Sequence, residues 1–373
     1  MKSDSFLYKF YYQWWKNIDK SIFSIIILFF TIGLFLSLVS TSLIASDKLD
    51  TNSYFFFFKH LIYIFIGIFI IFIFSSINSD QLFRFSIILF FISLISLFLV
   101  PIIGIEVKGS KRWIDPGFLP RFQPVETLKP FFILLVSIIL SKTKLKSLYY
   151  KYLLTLFVLI SVTSLLVLQP DIGQTMLVFL TWLSLIFVSG INLLFFLTFF
   201  IFSGSILFYL IFFIPKFEYI KIRLISFLNP SSGNNYQSEK ASEAIVNGSF
   251  FGKGIGEGEL NTKIPEAHTD YIISVISEEF GVIIVLTIML IFLIFSFNII
   301  KKIDKENDNK VKLILVGVVS IILFQTFIHV GVNIRILPTT GMTLPFLSYG
   351  GSSIISTSIL SGIILNLTKR KIS

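Results

Sequence analysis

Apolar runs near membrane-spanning length follow one another through this chain, at 22–44, 55–75, 83–104, 130–141, 152–169, 172–189, 192–214, 271–300, 311–331 and 349–367. A hydrocarbon core about 30 Å thick takes roughly 20 helical residues to cross, so runs of this length call for a bilayer rather than a soluble interior. They are continuous, whereas a membrane β-barrel would show weaker ten-residue segments of alternating polarity. The first run is too long for the apolar region of a cleaved signal and is expected to be retained. The fourth is short and is expected to begin inside the preceding loop. At 55% hydrophobic residues and a mean hydropathy of +0.88, the chain reads as an all-α polytopic membrane protein with about ten transmembrane helices. The expected organisation is a cytoplasmic N-terminal segment (1–20), one transmembrane domain (21–368) and a cytoplasmic C-terminal tail (369–373). The domain includes a long extracytoplasmic connection, 215–270, between helices 7 and 8.

Charge orients the bundle. With the N-terminus inside, 17 of the 31 basic residues but only 6 of the 21 acidic ones fall on the cytoplasmic side. Lys142, Lys144, Lys146, Lys151 and the terminal Lys369-Arg370-Lys371 are among them. That is the positive-inside pattern, and it accounts for the net charge of +10 without nucleic acid, for which no soluble basic domain is present. Residues 105–130 resist the rule: five basic residues fall outside, where they could meet an anionic ligand. The chain has no Cys, which removes disulfides, thiol nucleophiles and thiolate metal sites.

Polar and helix-breaking residues concentrate in four outer segments, and punctuated sequence on one face suggests that this face carries the function. In GSKRWIDPGFLPRFQPVETLKP (109–130), Lys111, Arg112 and Arg121 could clamp phosphate or contact headgroups. Glu126 and Lys129 stand at i, i+3 at the start of the next helix, where they could pair. In QPDIGQT (169–175), Asp171 either caps the following helix or pairs with a cation near the membrane. The third segment, 215–270, is far longer than ordinary connections. It holds a Gly-rich stretch, NGSFFGKGIGEG (247–258), whose spacing and context do not fit a dinucleotide fingerprint. It ends in IPEAHTD (264–270), where Glu266, His268 and Asp270 cluster after Lys263. His268 and Asp270 are too few for a metal site. Asp270 could serve as a general base or merely cap a helix. In the fourth, NIRILPTTGMTLPFLSYGGSS (333–353), prolines and glycines break the helix, as is tolerated where backbone lines a cavity or is buried in protein. Arg335 is its only charge.

Taken in order, these segments resemble the SEDS family (shape, elongation, division and sporulation). The residues carrying the resemblance are GSKRWI and QPVE, QPDIG, FGKG, PEAHTD and PTTGMTLPFLSYGGSS, spread over residues 20–370. Ala267, the Thr-Thr-Gly and the Leu-Pro-Phe are more similar to the division-type than to the elongation-type branch. The stretch 236–250 departs from the family's usual pattern. The resemblance implies a peptidoglycan glycosyltransferase that polymerises lipid II on the outer face of the bacterial inner membrane at the division septum. It implies a class B penicillin-binding protein and other division-complex proteins as partners. It maps the essential acid to Asp270, with Lys111, Arg112, Arg121, Glu126, Lys129, Asp171, Lys263, Glu266, His268, Arg335 and Ser348 as candidate contacts to pyrophosphate or sugar. No cofactor is implied with certainty; magnesium or manganese could be held by the pyrophosphate. An elongation-type polymerase, a lipid II flippase and a non-enzymatic division scaffold are the alternatives. A flippase should carry charge midway along helices facing a cavity, whereas here it collects at outer ends and loops.

Overall fold

The computed structural model describes residues 6–49, 54–107, 109–117, 120–142, 148–229, 235–260 and 263–369. Lys144, Lys146, Arg370 and Lys371 of the basic inner segments lie outside them. An N-terminal helix, α1 (Phe6–Asn17), leads into α2 (Lys20–Leu49), α3 (Phe55–Ser76) and α4 (Ser79–Ile103). A two-stranded antiparallel hairpin, β1 (Ile105–Val107) and β2 (Ser110–Trp113), follows. Then come α5 (Pro124–Ser141), α6 (Leu148–Leu168), α7 (Ile172–Val188) and α8 (Leu193–Phe213). The chain continues through α9 (Glu218–Leu228), α10 (Tyr236–Gly248), α11 (Ile272–Phe280), α12 (Val282–Lys305), α13 (Asn309–Asn333) and α14 (Gly351–Leu367). Among the described residues eight helices are long and apolar enough to cross a membrane, and the shorter apolar α7 and α14 join them. The expectation of about ten spans therefore holds. The fourth starts at Pro124, inside the preceding loop, with proline in the first turn where its missing N–H costs nothing.

The helices α5, α13 and α14 form the centre. Nearly every residue of α14 is buried, and α5 is buried over most of its length. Apolar burial cannot drive association in lipid, so close packing and polar contacts must. The Ser- and Gly-rich sequence of α14 supplies the closeness. A Cβ placed on Gly67 of α3 would lie 2.5 Å from Ser358 Oγ of α14. Outward helices are lipid-like on most faces; α8 buries none of its residues and leans on α7 through Trp182–Phe199 and Phe187–Phe196 ring contacts.

Polar contacts tie the two ends of the bundle separately. At one end Asp19 at the foot of α2 pairs with Lys302 of α12 at 2.5 Å, and Trp14 Nε1 donates to Ser75 Oγ. Ser79 Oγ donates to Asn366 Oδ1. At the other end the described parts of the four segments expected to be outer meet, through Arg112–Asp171, Gln123–Ser352 and Ser348–Thr269 contacts.

Two features differ from the sequence reading. The apolar run 271–300 is not one span: α11 ends at Gly281, which takes φ 84°, and α12 begins anew. The sequence is apolar on both sides of this break, and only Glu278-Glu279-Phe280-Gly281 marks it. The glycine is obligatory twice over, since a Cβ there would sit 2.1 Å from Phe250 O and the left-handed backbone disfavours any other residue. Gly281→Ala is expected to lower stability by more than about 1 kcal/mol, read as a lower melting temperature in detergent. The second difference is that 215–270 is no open loop but carries α9 and α10. Glu278 and Glu279, at the end of α11, accept backbone N–H groups in and just after its Gly-rich stretch: Gly256 N–H donates to Glu279 Oε2 and Leu260 N–H to Glu278 Oε1 at 3.0 Å.

Candidate active site

The segment ending in Asp270 is a tight turn wound on Glu266. Glu266 takes φ 58°, uncommon for a residue with a side chain. Its carbonyl accepts the N–H groups of Thr269 (3.1 Å), Asp270 (3.0 Å) and Tyr271 (3.3 Å), and its Oε2 accepts Thr269 Oγ1. Ala267 is fully buried beneath it. The broken segment between α13 and α14 clasps this turn. Ser348 Oγ donates to Thr269 O at 2.7 Å and accepts Leu344 N–H at 2.8 Å. Tyr349 N–H donates to His268 O at 3.0 Å. The His268 ring packs between Phe56 and Tyr349. Gly341 lies so close that a Cβ there would be 3.5 Å from Asp270 Oδ2. Asp270 itself is half-buried.

A second group lies behind. Lys129 Nζ, 1% exposed, donates to Glu126 at 2.8 Å and to Gln325 Oε1 at 3.3 Å. Gln174 Nε2 donates to Glu126 Oε1 at 2.9 Å, and Gln325 Nε2 donates to Thr343 O at 2.9 Å. Four elements, α5, α7, α13 and the broken segment, are thereby joined by one chain of contacts, charge-assisted where it passes through Glu126 and Lys129.

Asp171 is the N-cap of α7 and is buried. It accepts Gln123 Nε2 at 3.0 Å and lies 3.7 Å from an Arg112 guanidinium nitrogen. Burial pushes its carboxyl up and Arg112 pulls it down. Arg112 also donates to Gln169 O at 3.2 Å and to Pro170 O, so it braces the 169–171 turn from a hairpin 57 residues earlier in the sequence. Arg223 of α9 stands near Arg112, Tyr219, Asp171 and Tyr271; its charge is disfavoured first by partial burial and then by the Arg112 guanidinium. Tyr271 is raised by burial and by Asp270, and lowered by Arg223. Tyr271 thus lies within electrostatic reach of both Arg223 and the adjacent Asp270. Arg112 and Arg223 thus share one electrostatic neighbourhood with Asp171, and a region with more cations than acids favours an anion.

The remaining candidates are dispersed. Arg121 is exposed and paired with Asp115 at 2.8 Å, while Lys111 on β2 and Lys263 are exposed. Arg335 lines a cleft of about 470 Å³ with Glu239, Glu243 and Leu260; Asp270 is not part of that lining. Ser348 is occupied on both sides by backbone, which makes it a brace rather than a substrate contact. Among the described residues no three His, Asp or Glu side chains gather as a metal-binding group.

Residues 19–372 match the FtsW/RodA/SpoVE family, described as a cell cycle protein family. The chain belongs to this family. Its relatives include a probable peptidoglycan glycosyltransferase FtsW from Wigglesworthia glossinidia brevipalpis, 35% identical over 91% of this chain and 90% of the relative. Another, from Caulobacter vibrioides, is 29% identical over 96% of this chain and 91% of the relative. Among solved structures, a chain of a peptidoglycan synthase complex that coordinates polymerization and crosslinking superposes with a TM-score of 0.78. It is 24% identical, covering 94% of this chain and 97% of that one. The rod shape determining protein RodA of Thermus thermophilus gives 0.69 at 23% identity, covering 94% and 96%. These two show that the fold is the polytopic one of the family.

Within the FtsW/RodA/SpoVE fold of this chain, sequence reasoning missed Arg223 and Asn333. Arg223 was visible only as a charge opening a long loop. Asn333 carried a faint signal, an amide at the end of an apolar run.

Proposed function

We propose that this chain polymerises lipid II into glycan strands as a division-type peptidoglycan glycosyltransferase, at the outer face of the bacterial inner membrane with both termini cytoplasmic. The observation that carries the reading is the clasped turn. A carboxylate, Asp270, is held half-exposed beside Tyr271, a residue that feels both the Asp270 and the Arg223 charge. The names and near-complete coverage of the relatives support it.

In the proposed reaction an acceptor sugar hydroxyl attacks the anomeric carbon of a lipid-pyrophosphate donor. The oxygen–carbon bond forms while the bond from that carbon to the pyrophosphate oxygen breaks. The hydroxyl proton passes to Asp270, and the electron pair leaves with the lipid pyrophosphate. A single displacement inverts the anomeric carbon. Arg112 and Arg223 would steady the departing diphosphate. Any divalent ion would travel with the diphosphate oxygens, and no step here depends on one. The α8 helix buries none of its residues, and the lipid tail would enter sideways beside it. A class B penicillin-binding protein is the proposed partner, supplying crosslinks to strands made here.

Two measurements test this. Proteoliposomes holding purified lipid II should yield glycan polymer from the purified complex; transbilayer movement of lipid II without polymer would overturn the reading in favour of a carrier. Arg223→Ala should lower kcat/KM for lipid II by about 10²-fold, the scale of losing one donor to developing negative charge. Lys111→Ala and Arg121→Ala, exposed at the hairpin, should change it little.

A further inference from the structure

The turn that presents Asp270 leads directly into α11, and α11 begins without a cap of its own. Its N-cap residue, Tyr271, makes no side-chain cap hydrogen bond. A helix start leaves several N–H groups without intrahelical partners, and a side-chain oxygen normally takes one. Here that oxygen comes from another helix. Asn333, the last residue of α13 and 0% exposed, accepts Ser274 N–H at 3.2 Å and Ser274 Oγ–H at 2.9 Å on its Oδ1. Its Nδ2 donates to Asp270 O at 3.0 Å and to His329 O at 2.8 Å. An amide has two donors and two acceptor sites, and all four are used. One side chain therefore grips the carbonyl of Asp270 and the third N–H of the helix that follows, fixing the peptide on which the Asp270 carboxylate is carried.

We propose that Asn333 is the positioning residue for Asp270: a cap supplied in trans, whose amide sets the direction of the carboxylate. This deepens the polymerase reading above and rests on it. Ser348–Thr269 and Tyr349–His268 already hold the front of the turn, so loss of Asn333 frees its rear and lets Asp270 rotate without releasing the whole segment. No other residue type does the same work there. Asp at 333 would keep an acceptor for Ser274 but turn an oxygen toward the Asp270 carbonyl. Leu or Ala would remove the Nδ2 donor to Asp270 O and the Oδ1 acceptor for Ser274 Oγ, and leave Ser274 N–H with its bond to Tyr271 O alone.

The test uses the full chain with its crosslinking partner and purified lipid II. Turnover is normalised to the number of lipid II-binding molecules, so that a merely structural loss, which removes molecules from the count, does not register. Asn333→Ala and Asn333→Asp should each lower kcat per binding molecule by about tenfold or more with KM within about twofold of wild type, as expected when a catalytic group is misplaced but the substrate site survives. Ser274→Ala, which leaves the Ser274 N–H contact in place, should lower it by less than about threefold. Wild-type kcat per binding molecule in both Asn333 variants, or a change confined to KM, would overturn the assignment while leaving the polymerase reading intact. An Asp270→Asn control that polymerises like wild type would instead overturn the reading and the inference together.

Discussion

Lys129→Met is expected to destabilise the folded protein by about 3–5 kcal/mol, the cost of leaving one member of a buried ion pair without its partner. Glu126 and Lys129 are 4% and 1% exposed, so water cannot replace the lost cation. Methionine fills the volume of the lysine stem and creates little cavity, which isolates the electrostatic cost from a packing cost. Glu126 would retain Gln174, a neutral donor that offsets only part of the charge. Gln325 would lose its lysine contact but keep Thr343. The partner change Glu126→Gln should be similarly costly by itself. Glu126→Gln combined with Lys129→Met should recover much of the loss, because no uncompensated charge remains. Melting temperatures of the three variants in one detergent decide the matter. A double variant no more stable than the singles would mean that the pair contributes through geometry alone.

Asp270→Asn should abolish polymerisation, with a loss of about 10²–10⁴-fold, the usual contribution of a positioned general base. The substitution leaves the frame standing. Two backbone contacts help hold residue 270 in place: its N–H donates to Glu266 O and its carbonyl accepts Asn333 Nδ2. Neither requires a carboxylate. The variant should therefore insert, melt close to wild type and still bind the proposed crosslinking partner, which also separates a polymerase from a scaffold. An Asp270→Ala protein that is stable, partner-bound and still supports division would favour the scaffold.

Much of this architecture was legible because hydropathy in a membrane protein is a strong signal. The spans, their alternation and the gathering of Pro, Gly and charge on one face all followed from local sequence. The break at Gly281 did not, because Ile272–Ile276 and Val282–Val285 are equally apolar and the chain reads as one run across them; Glu278-Glu279-Phe280-Gly281 was the only mark. The hairpin of β1 and β2 was hidden in a loop too short to show alternation. At the site, the pairing of Glu126 with Lys129 was readable from i, i+3 spacing. The reach of Arg112 to the 169–171 turn was not, since nothing local specifies a partner so distant in sequence. Ser348 was drawn into the candidate set by its motif, yet its hydroxyl is used to hold Thr269. Asn333 looked like an incidental amide because its partners, Asp270 and Ser274, come from another part of the chain.

The most direct test is single-turnover polymerisation of lipid II by three matched complexes: wild type, Asp270→Glu and Asp270→Asn, with donor binding measured in the same samples. If a carboxylate at the outer mouth takes the hydroxyl proton, wild type should form the glycosidic bond fastest. Asp270→Glu should be slower yet measurable, and Asp270→Asn should bind donor without forming the bond. Bond formation by Asp270→Asn at the wild-type rate would contradict it.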